Sequence, residues 1–356
     1  MDGAMPTGIA NVGNSCFLNA LLQCLCVPAA AGATQRRVAD SKHALDMLVS
    51  SVVGYQPTVA HEHEPTRDFG HRGGGARFCS ETNRDGAVMH VKTPLIREIF
   101  DTDLGLQGQQ CPQHFFSVAC SNGGVLAECF NATVGEVLTC GECGAKLNAP
   151  YSWADNHVQI LKFDAHTKAL TLKHLILENI ISAKIEEYSP GKHARFGGKL
   201  PSNELCRGQH GAHHVTYFSK QLPQHLCFAL SSRSAGASKN TRYFAPDHHM
   251  ELPEINYSAS AVPDGGGVGT PSSVLYELYA TITHSGRDSQ GGHFSAYVLR
   301  GDASWFHVDD EHVVPVSAAD VLNPPKHHTI YMLFYRRKTN SAGDGCSSRV
   351  VRQRTH

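Results

Sequence analysis

The chain has 356 residues, of which 41% are hydrophobic and 18% charged, with a formal net charge of -1 at pH 7. This composition excludes wholesale disorder and allows one large domain with subdomains, or two domains. Because 31 basic residues balance 32 acidic ones, no overall field attracts nucleic acid or an anionic membrane, and we expect neither as a partner.

Targeting signals are the next feature. No basic region followed by an apolar one opens the sequence, and no run of about 18 apolar residues occurs, so we expect neither a signal peptide nor a membrane span. We therefore expect a cytoplasmic or nuclear monomer whose 12 cysteines are reduced. Their irregular spacing does not indicate a disulfide framework. Some should be catalytic, some metal ligands and most core residues.

The first predicted element is a helix that begins at or just before Cys16. Apolar residues recur after it at helical spacing, namely Phe17, Leu18, Leu21, Leu22 and Leu25. The unpaired N–H groups and the macrodipole of a helix N-terminus stabilise a thiolate, which is the nucleophilic form of cysteine. Asn11 and Asn14, in the preceding loop, have amides that can donate hydrogen bonds beside the sulfur. The alternative is a buried structural cysteine.

The string from Gly8 to Gln23, GIANVGNSCFLNALLQ, resembles the cysteine box of the ubiquitin-specific proteases at every position. The resemblance implies that Cys16 is the nucleophile and that Asn11 helps to bind the oxyanion. It also implies an α+β fold of the papain-like type, with a helical thumb (about 8–133) and β-rich fingers and palm (about 134–338). A polar tail (339–356) follows this catalytic domain (8–338). A nucleophilic cysteine still needs a base from elsewhere in the chain.

A loop, a second helix and a polar insertion are predicted after the cysteine helix. We expect a loop over 28–33 and a second amphipathic helix over about 38–53, where apolar residues again recur at helical spacing. Residues 54–86 contain few apolar side chains and a run of three glycines. This composition predicts a long, mobile and disordered insertion.

The segment that starts at Gln109 departs from the family pattern. Ubiquitin-specific proteases usually carry Gln-Gln-Asp-Ala-x-Glu-Phe here, and the two acids contact arginines of the modifier. Cys111 and His114 stand in their place. The loss removes charge-assisted hydrogen bonds worth about 1.5–3 kcal/mol each, which favours a ubiquitin-like modifier as an alternative substrate. The simpler interpretation is a helix start with incidental polar residues.

A partial zinc motif follows a strand-like segment over 134–138. Cys140 and Cys143, two residues apart on a glycine-tightened turn, form half of a tetrahedral zinc site. The family supplies a second Cys-x-x-Cys about 50 to 60 residues later, where this chain has Cys206 but Gln209 in place of the last cysteine. His210 is adjacent and completes a Cys3His set for a structural zinc. The alternative is a fingers region held by sheet pairing alone.

The candidate base is His293. A strand-like segment over 274–282 is followed by a turn, and Gly291 and Gly292 directly precede the histidine. Two glycines allow a close approach of the substrate backbone and leave the imidazole uncovered. This stretch resembles the family's histidine box, His-Ser-Gly-x-x-x-x-Gly-His-aromatic-x-Ala-Tyr-Val. His284, in the same box, is the competing candidate, and the resemblance gives it a structural role.

A base imidazole is held in the correct tautomer by an acceptor on its second nitrogen. The next strand, predicted over 305–313, carries Asp309 and Asp310 side by side. In the family the first acid orients the histidine, which implies this role for Asp309 and leaves Asp310 as an auxiliary residue that binds a water or an oxyanion partner. Strand alternation predicts that the two carboxylates face opposite sides.

These motifs together predict a thiol-dependent deubiquitinase that hydrolyses the isopeptide or peptide bond after the C-terminal glycine of ubiquitin, with no cofactor for catalysis. Its partners would be ubiquitin, or a ubiquitin-like modifier, and ubiquitinated proteins. The alternatives are a protease for a ubiquitin-like modifier, a weakly active ubiquitin-binding protein and a general papain-like peptidase. The last lacks the Cys-Gly-Ser/Ala-Cys context of its class.

Overall fold

The structure is a computed structural model. It describes residues 6–11, 15–29, 32–53, 81–83, 86–89, 110–140, 154–163, 171–176, 183–185, 213–231, 244–254, 272–286, 291–301 and 303–338. The helices in these ranges are α1 (Cys16–Ala29), α2 (Gly32–Ala39), α3 (Ala44–Val53), α4 (Pro112–Ser121), α5 (Val125–Phe130), α6 (Leu172–Ile176) and α7 (Ala318–Leu322).

The strands fall into three sheets. In chain order they are β1 (Gly8–Ile9), β2 (Glu81–Asn83), β3 (Gly86–Met89), β4 (Ala132–Cys140), β5 (Ala154–Asn156), β6 (Gln159–Lys162), β7 (Ala183–Ile185), β8 (His213–Gln221), β9 (His225–Ser231), β10 (His249–Glu254), β11 (Ser272–Ser285), β12 (His293–Arg300), β13 (Ser304–Asp309), β14 (His312–Val316) and β15 (His328–Arg337). The largest sheet has eight strands in the order β14-β13-β12-β11-β15-β9-β6, with β10 paired to β11. The others have the orders β5-β4-β8-β7 and β1-β3-β2.

The core lies where the helices pack on the eight-stranded sheet. Helix α1 is apolar on nearly every side, and its leucines and Phe17 are fully buried. Aromatic rings join the two layers: Phe334 of β15 lies 6.2 Å from Phe116 of α4 and 6.1 Å from Phe130 of α5, measured between ring centroids. Helices and a mainly antiparallel sheet thus share one core, which confirms the predicted α+β class.

The predicted elements before the insertion are confirmed in kind, with different bounds. Helix α1 begins at Cys16 as expected, but it continues through the buried Pro28 to Ala29, and α2 begins at Gly32, so the bounds of the predicted loop over 28–33 are wrong. The helix predicted over 38–53 is in fact two helices, α2 and α3.

The prediction of a disordered insertion over 54–86 is partly wrong. Residues 54–80 and 84–85 lie outside the described ranges, but residues 81–83 form β2 and Gly86 opens β3. The two strands pair with each other, and β3 pairs in parallel with β1. This end of the segment is ordered because its backbone supplies hydrogen-bond partners to the strand that leads to Cys16.

The strand predicted over 305–313 is a hairpin. Strand β13 ends at Asp309, the chain turns at Asp310 and Glu311, and β14 returns antiparallel with Asp309 opposite His312. Asp310 has φ of +52°, a left-handed conformation that Asp tolerates better than most residues. The sequence pattern did not indicate that strand β13 ends at Asp309.

Candidate active site

Cys16 is the first residue of α1 and is 3% exposed. The carbonyl of Ser15 accepts hydrogen bonds from the backbone N–H groups of Leu18 (3.0 Å) and Asn19 (2.9 Å), so the helix starts at the thiol. The sulfur is also hydrogen-bonded to the imidazole of His293. The helix N-terminus and the imidazole therefore meet at this thiol, as the sequence predicted.

His293 opens β12 and is half-buried. The residue before it, Gly292, has φ of +151°, and a Cβ there would lie 2.4 Å from both His284 Nε2 and the carbonyl oxygen of Ser285. Only glycine fits, because such contacts are far inside van der Waals distance. His284 itself is buried, and its ring packs against Phe294 with the ring centroids 4.6 Å apart, so it supports the turn that presents His293.

Asp309 accepts a hydrogen bond at Oδ1 from the Nε2 atom of His293. This bond, followed by the bond to Cys16, raises the pKa of His293 to about 10. The same contact with His293 lowers the pKa of Asp309. Because Nε2 faces the carboxylate, Nδ1 is the imidazole nitrogen that remains for the proton of Cys16. A thiol, an imidazole and a carboxylate are thus connected in the order that nucleophilic catalysis requires.

Asp310 also reaches the site, so the prediction that the two carboxylates face opposite sides is wrong. Its Oδ2 atom lies 3.8 Å from His293 Nε2. The reason is its place in the turn after β13, where the positive φ redirects the side chain. Burial is the main cause that raises the pKa of Asp310. Its carboxylate accepts hydrogen bonds from Asn11 Nδ2 at 2.8 Å and from Asn19 Nδ2 at 2.7 Å.

Asn11 lies between this carboxylate and the start of α1. Its Nδ2 atom donates to Asp310, and its Oδ1 atom accepts from the backbone N–H of Ser15 at 3.3 Å. Strand β1, which precedes Asn11, contacts the same turn, because Ile9 N donates a hydrogen bond to the carbonyl of Asp310 at 2.9 Å. A Cβ on Gly8 would lie 2.4 Å from the carbonyl oxygen of Glu311. The first glycine of the cysteine box therefore allows β1 to contact the β13–β14 turn.

Comparison with known protein families identifies the family of this chain. The family described as ubiquitin carboxyl-terminal hydrolase matches residues 117–335. The chain belongs to this family. It is 22% identical over 367 aligned residues to ubiquitin carboxyl-terminal hydrolase 23 of Arabidopsis thaliana, an alignment that covers 97% of this chain and 37% of that relative. It is 46% identical over 66 residues to ubiquitin carboxyl-terminal hydrolase 9 of the same plant, which covers 18% of this chain and 7% of the relative. The chain thus spans well under half the length of these relatives.

The fold of this family member is also found among solved structures. A SAGA DUB module (Ubp8/Sgf11/Sus1/Sgf73) bound to ubiquitin aldehyde matches with a TM-score of 0.63 and 16% identity, over 95% of this chain and 72% of that one. A second structure of the same module, bound to monoubiquitin, matches with a TM-score of 0.60 and 15% identity, over 95% of this chain and 72% of that one. The papain-like α+β fold that the cysteine box implied is confirmed.

Two residues of this chain were not assigned a role from its sequence, although both belong to the cysteine box. Asn19 and Gln23 lie one turn apart on the buried face of α1 and are 2% and 1% exposed. Gln23 donates to the carbonyl of Thr7 at 2.6 Å and accepts from Arg300 at 3.2 Å. Two polar residues four apart on an otherwise apolar helix could have signalled buried hydrogen bonds.

Cys111 and His114 lie at the start of α4. Cys111 directly precedes the helix, is half-buried and contacts the hydroxyl of Tyr331 through Sγ at 2.9 Å. His114 is exposed, and the first turn of α4 contains no acidic residue. The predicted helix start is confirmed, and the two side chains offer no carboxylate at this surface.

The predicted zinc ligands of this family member fall largely outside the described residues. Cys143, Cys206 and His210 are among those not described, and of Cys140 only the backbone is, paired with His213 at the end of β4. In the described part, His293, Asp309 and Asp310 form a group whose possible ligand atoms lie within 4.8 Å of one another. Each carboxylate there already accepts hydrogen bonds within the site. No helix among the described residues is long and apolar enough to cross a membrane.

Proposed function

We propose that this chain is a thiol-dependent deubiquitinase that hydrolyses the isopeptide or peptide bond after the C-terminal glycine of ubiquitin. The observation that carries the proposal is the hydrogen-bonded series from Cys16 through His293 to Asp309. Membership of the ubiquitin carboxyl-terminal hydrolase family supports the substrate class. The reaction needs only side chains and backbone of this chain and water, with no cofactor.

In the proposed reaction, His293 takes the proton of Cys16 at Nδ1, and the thiolate attacks the carbonyl carbon of the C-terminal glycine of ubiquitin. The carbonyl oxygen becomes an oxyanion. Asn11 Nδ2 carries two hydrogens, of which one is donated to Asp310 and the second is the proposed oxyanion donor. The bond to the lysine amine then breaks, and His293 protonates the leaving amine. His293 next deprotonates a water, which hydrolyses the thioester and releases ubiquitin.

The direct test uses ubiquitin whose C-terminus carries an electrophile, with mass spectrometry to locate the adduct. We expect a single adduct on Cys16 in the wild type and none in Cys16→Ala. Cys129→Ser is the matched control, because Cys129 is a half-buried cysteine outside the site, and it should react as the wild type does. Binding of ubiquitin without an adduct on Cys16 would support the weakly active binding protein instead.

A second candidate, a protease for a ubiquitin-like modifier, is favoured by one observation. The start of α4 presents Cys111 and His114, so these positions offer no carboxylate to a basic modifier tail. A panel of ubiquitin and ubiquitin-like probes with the same electrophile separates the two candidates. An adduct formed only with a ubiquitin-like probe would exclude ubiquitin as the substrate.

The structural zinc remains a proposal that rests on the spacing of Cys140, Cys143, Cys206 and His210. Metal analysis of the purified wild type should give about one zinc per chain, and Cys140→Ser should lower this content. Equal zinc in both proteins would refute the site. No step of the proposed reaction involves this metal.

A further inference from the structure

Asn19 makes a set of contacts that the proposed reaction does not use. It lies one turn after Cys16 on α1 and is 2% exposed. Its Nδ2 atom is 2.7 Å from Asp310 Oδ1 and 3.2 Å from each of the backbone oxygens of Ile9 and Ala10. A single amide group therefore binds the carboxylate of the β13–β14 turn and the two residues that precede Asn11.

Asp310 connects the contacts of Asn19 to Asn11, the proposed oxyanion donor. Its Oδ1 atom accepts from Asn19, its Oδ2 atom accepts from Asn11 at 2.8 Å, and its carbonyl accepts from Ile9 N at 2.9 Å. The carboxylate is only 7% exposed, and both of its oxygens accept a hydrogen bond. Asn11 Nδ2 thus bonds to a carboxylate that Asn19 also holds.

The orientation of the Asn19 amide favours this role over simple helix stabilisation. Its Oδ1 atom is buried and has no hydrogen-bond partner in the part of the chain that the structure describes. A buried carbonyl oxygen without a partner costs free energy, which an apolar residue at this position of an apolar helix would avoid. The amide nitrogen compensates by bonding to the turn and to β1, and those are the two segments that hold Asn11.

We propose that Asn19 is a positioning residue for the oxyanion donor, acting through Asp310 on Asn11. The inference rests on the proposed function, because it takes Asn11 as the oxyanion donor of that reaction. Without the Asn19 amide, the Asp310 carboxylate and the end of β1 lose a shared partner, and Asn11 Nδ2 shifts from the position where the oxyanion forms. A displacement of about 1 Å at a reacting centre can cost about 100-fold in rate.

The test compares Asn19→Ala in two backgrounds, with a fluorogenic ubiquitin substrate. In the wild-type background we expect kcat to fall about 10- to 100-fold and KM to stay within about twofold. In the Asn11→Ala background the same substitution should change kcat by less than about twofold, because no donor remains to be positioned. A purely structural residue would lower kcat by the same factor in both backgrounds, and that result would overturn the proposal.

Gln23→Ala is the matched control, because Gln23 is a buried polar residue of the same helix that bonds to Thr7 and Arg300 instead. Below the unfolding temperature of each variant, kcat of Gln23→Ala should remain within about threefold of the wild type. A loss as large as that of Asn19→Ala would overturn the proposal. Should Asn19→Ala not fold, Asp310→Asn is tested in the same two backgrounds with the same expectation, since one of the two oxygens that accept from Asn11 and Asn19 becomes an NH2 donor.

A measurement that does not depend on enzymatic activity separates this inference from the proposed function. The side-chain amide signals of Asn11 in a ¹⁵N–¹H spectrum should shift in Asn19→Ala and remain in place in Gln23→Ala. If the wild type hydrolyses no ubiquitin substrate but these signals shift, the proposed function fails and the positioning of Asn11 stands. Unchanged Asn11 signals in Asn19→Ala would overturn the positioning role, whatever the activity.

Discussion

Cys16, His293 and Asp309 come from three separate elements and are joined by hydrogen bonds, whereas Cys111 at the start of α4 is joined to the sheet through the hydroxyl of Tyr331. In the first region each side chain is hydrogen-bonded to the next, so the proposed reaction needs all three. In the second region a contact joins Cys111 to Tyr331, and the proposed reaction does not use it. The residues of the first region match the family pattern, while those at the start of α4 depart from it.

The largest expected effect is at the imidazole. His293→Ala should lower kcat/KM on a fluorogenic ubiquitin substrate by at least about 10⁴-fold, because the thiol loses its base. His174→Ala, an exposed histidine of α6 outside the site, is the control and should remain within about threefold of the wild type. Equal losses in the two variants would contradict the role of His293 as the base.

The second effect concerns the orienting acid. Asp309→Asn should lower kcat by about 10³- to 10⁴-fold, since an amide favours the wrong imidazole tautomer. It should also lower the pKa of His293 from about 10 toward the ordinary value of 6.5, because the hydrogen bond from His293 to Asp309 is the first cause of the increase. A ¹H–¹³C titration of the imidazole in both proteins measures this change, and an unaltered pKa would contradict the assigned pair.

The same pair predicts a pH dependence of stability. A histidine whose pKa is higher in the folded state stabilises the fold fully below its unfolded pKa, and this contribution is lost as pH rises through the folded pKa. The wild type should therefore lose unfolding free energy between pH 6.5 and about 10. In Asp309→Asn the loss should be smaller over the same window. Urea unfolding at several pH values checks the difference.

A third effect tests how the turn and β1 are held together. Gly8→Ala should lower the unfolding free energy by about 2 kcal/mol, because the new Cβ would lie 2.4 Å from the backbone oxygen of Glu311. Gly123→Ala is the control: Gly123 has φ of +82°, but its Cβ would meet only the side chain of His43, at 3.5 Å. It should lose about 1 kcal/mol and retain full activity. A Gly8→Ala protein as stable and active as this control would show that β1 tolerates displacement.

The smallest effect is expected at the start of α4. The pair Cys111→Asp and His114→Glu restores the acids of the family pattern and should raise the reaction rate with the ubiquitin probe about tenfold, which corresponds to about 1.4 kcal/mol. Ser121→Asp, at the other end of the helix, adds a carboxylate away from that surface and should leave the rate unchanged. A rate that does not rise in the pair would mean that this surface does not select the modifier.

The sequence by itself indicated which thiol, imidazole and carboxylate to look for, and the structure brings Cys16, His293 and Asp309 together. Cys16 begins a helix because apolar residues recur at helical spacing after it, and the two glycines before His293 lie where the turn ends and the strand begins. These signals are local, so they can be read within about ten residues of the side chain concerned. The family resemblance then connected the three segments, which periodicity alone does not.

The tertiary structure alone decided how Asn11, the proposed oxyanion donor, is held. Asp310 joins Asn11 and Asn19 across 299 and 291 residues of sequence, respectively. Strand alternation placed its carboxylate on the wrong side, because the left-handed conformation of Asp310 depends on where the hairpin turns. The contact between Cys111 and Tyr331, 220 residues apart, could not be predicted from the sequence either. Contacts of this kind depend on how the helices pack on the sheet, and no local pattern encodes that packing.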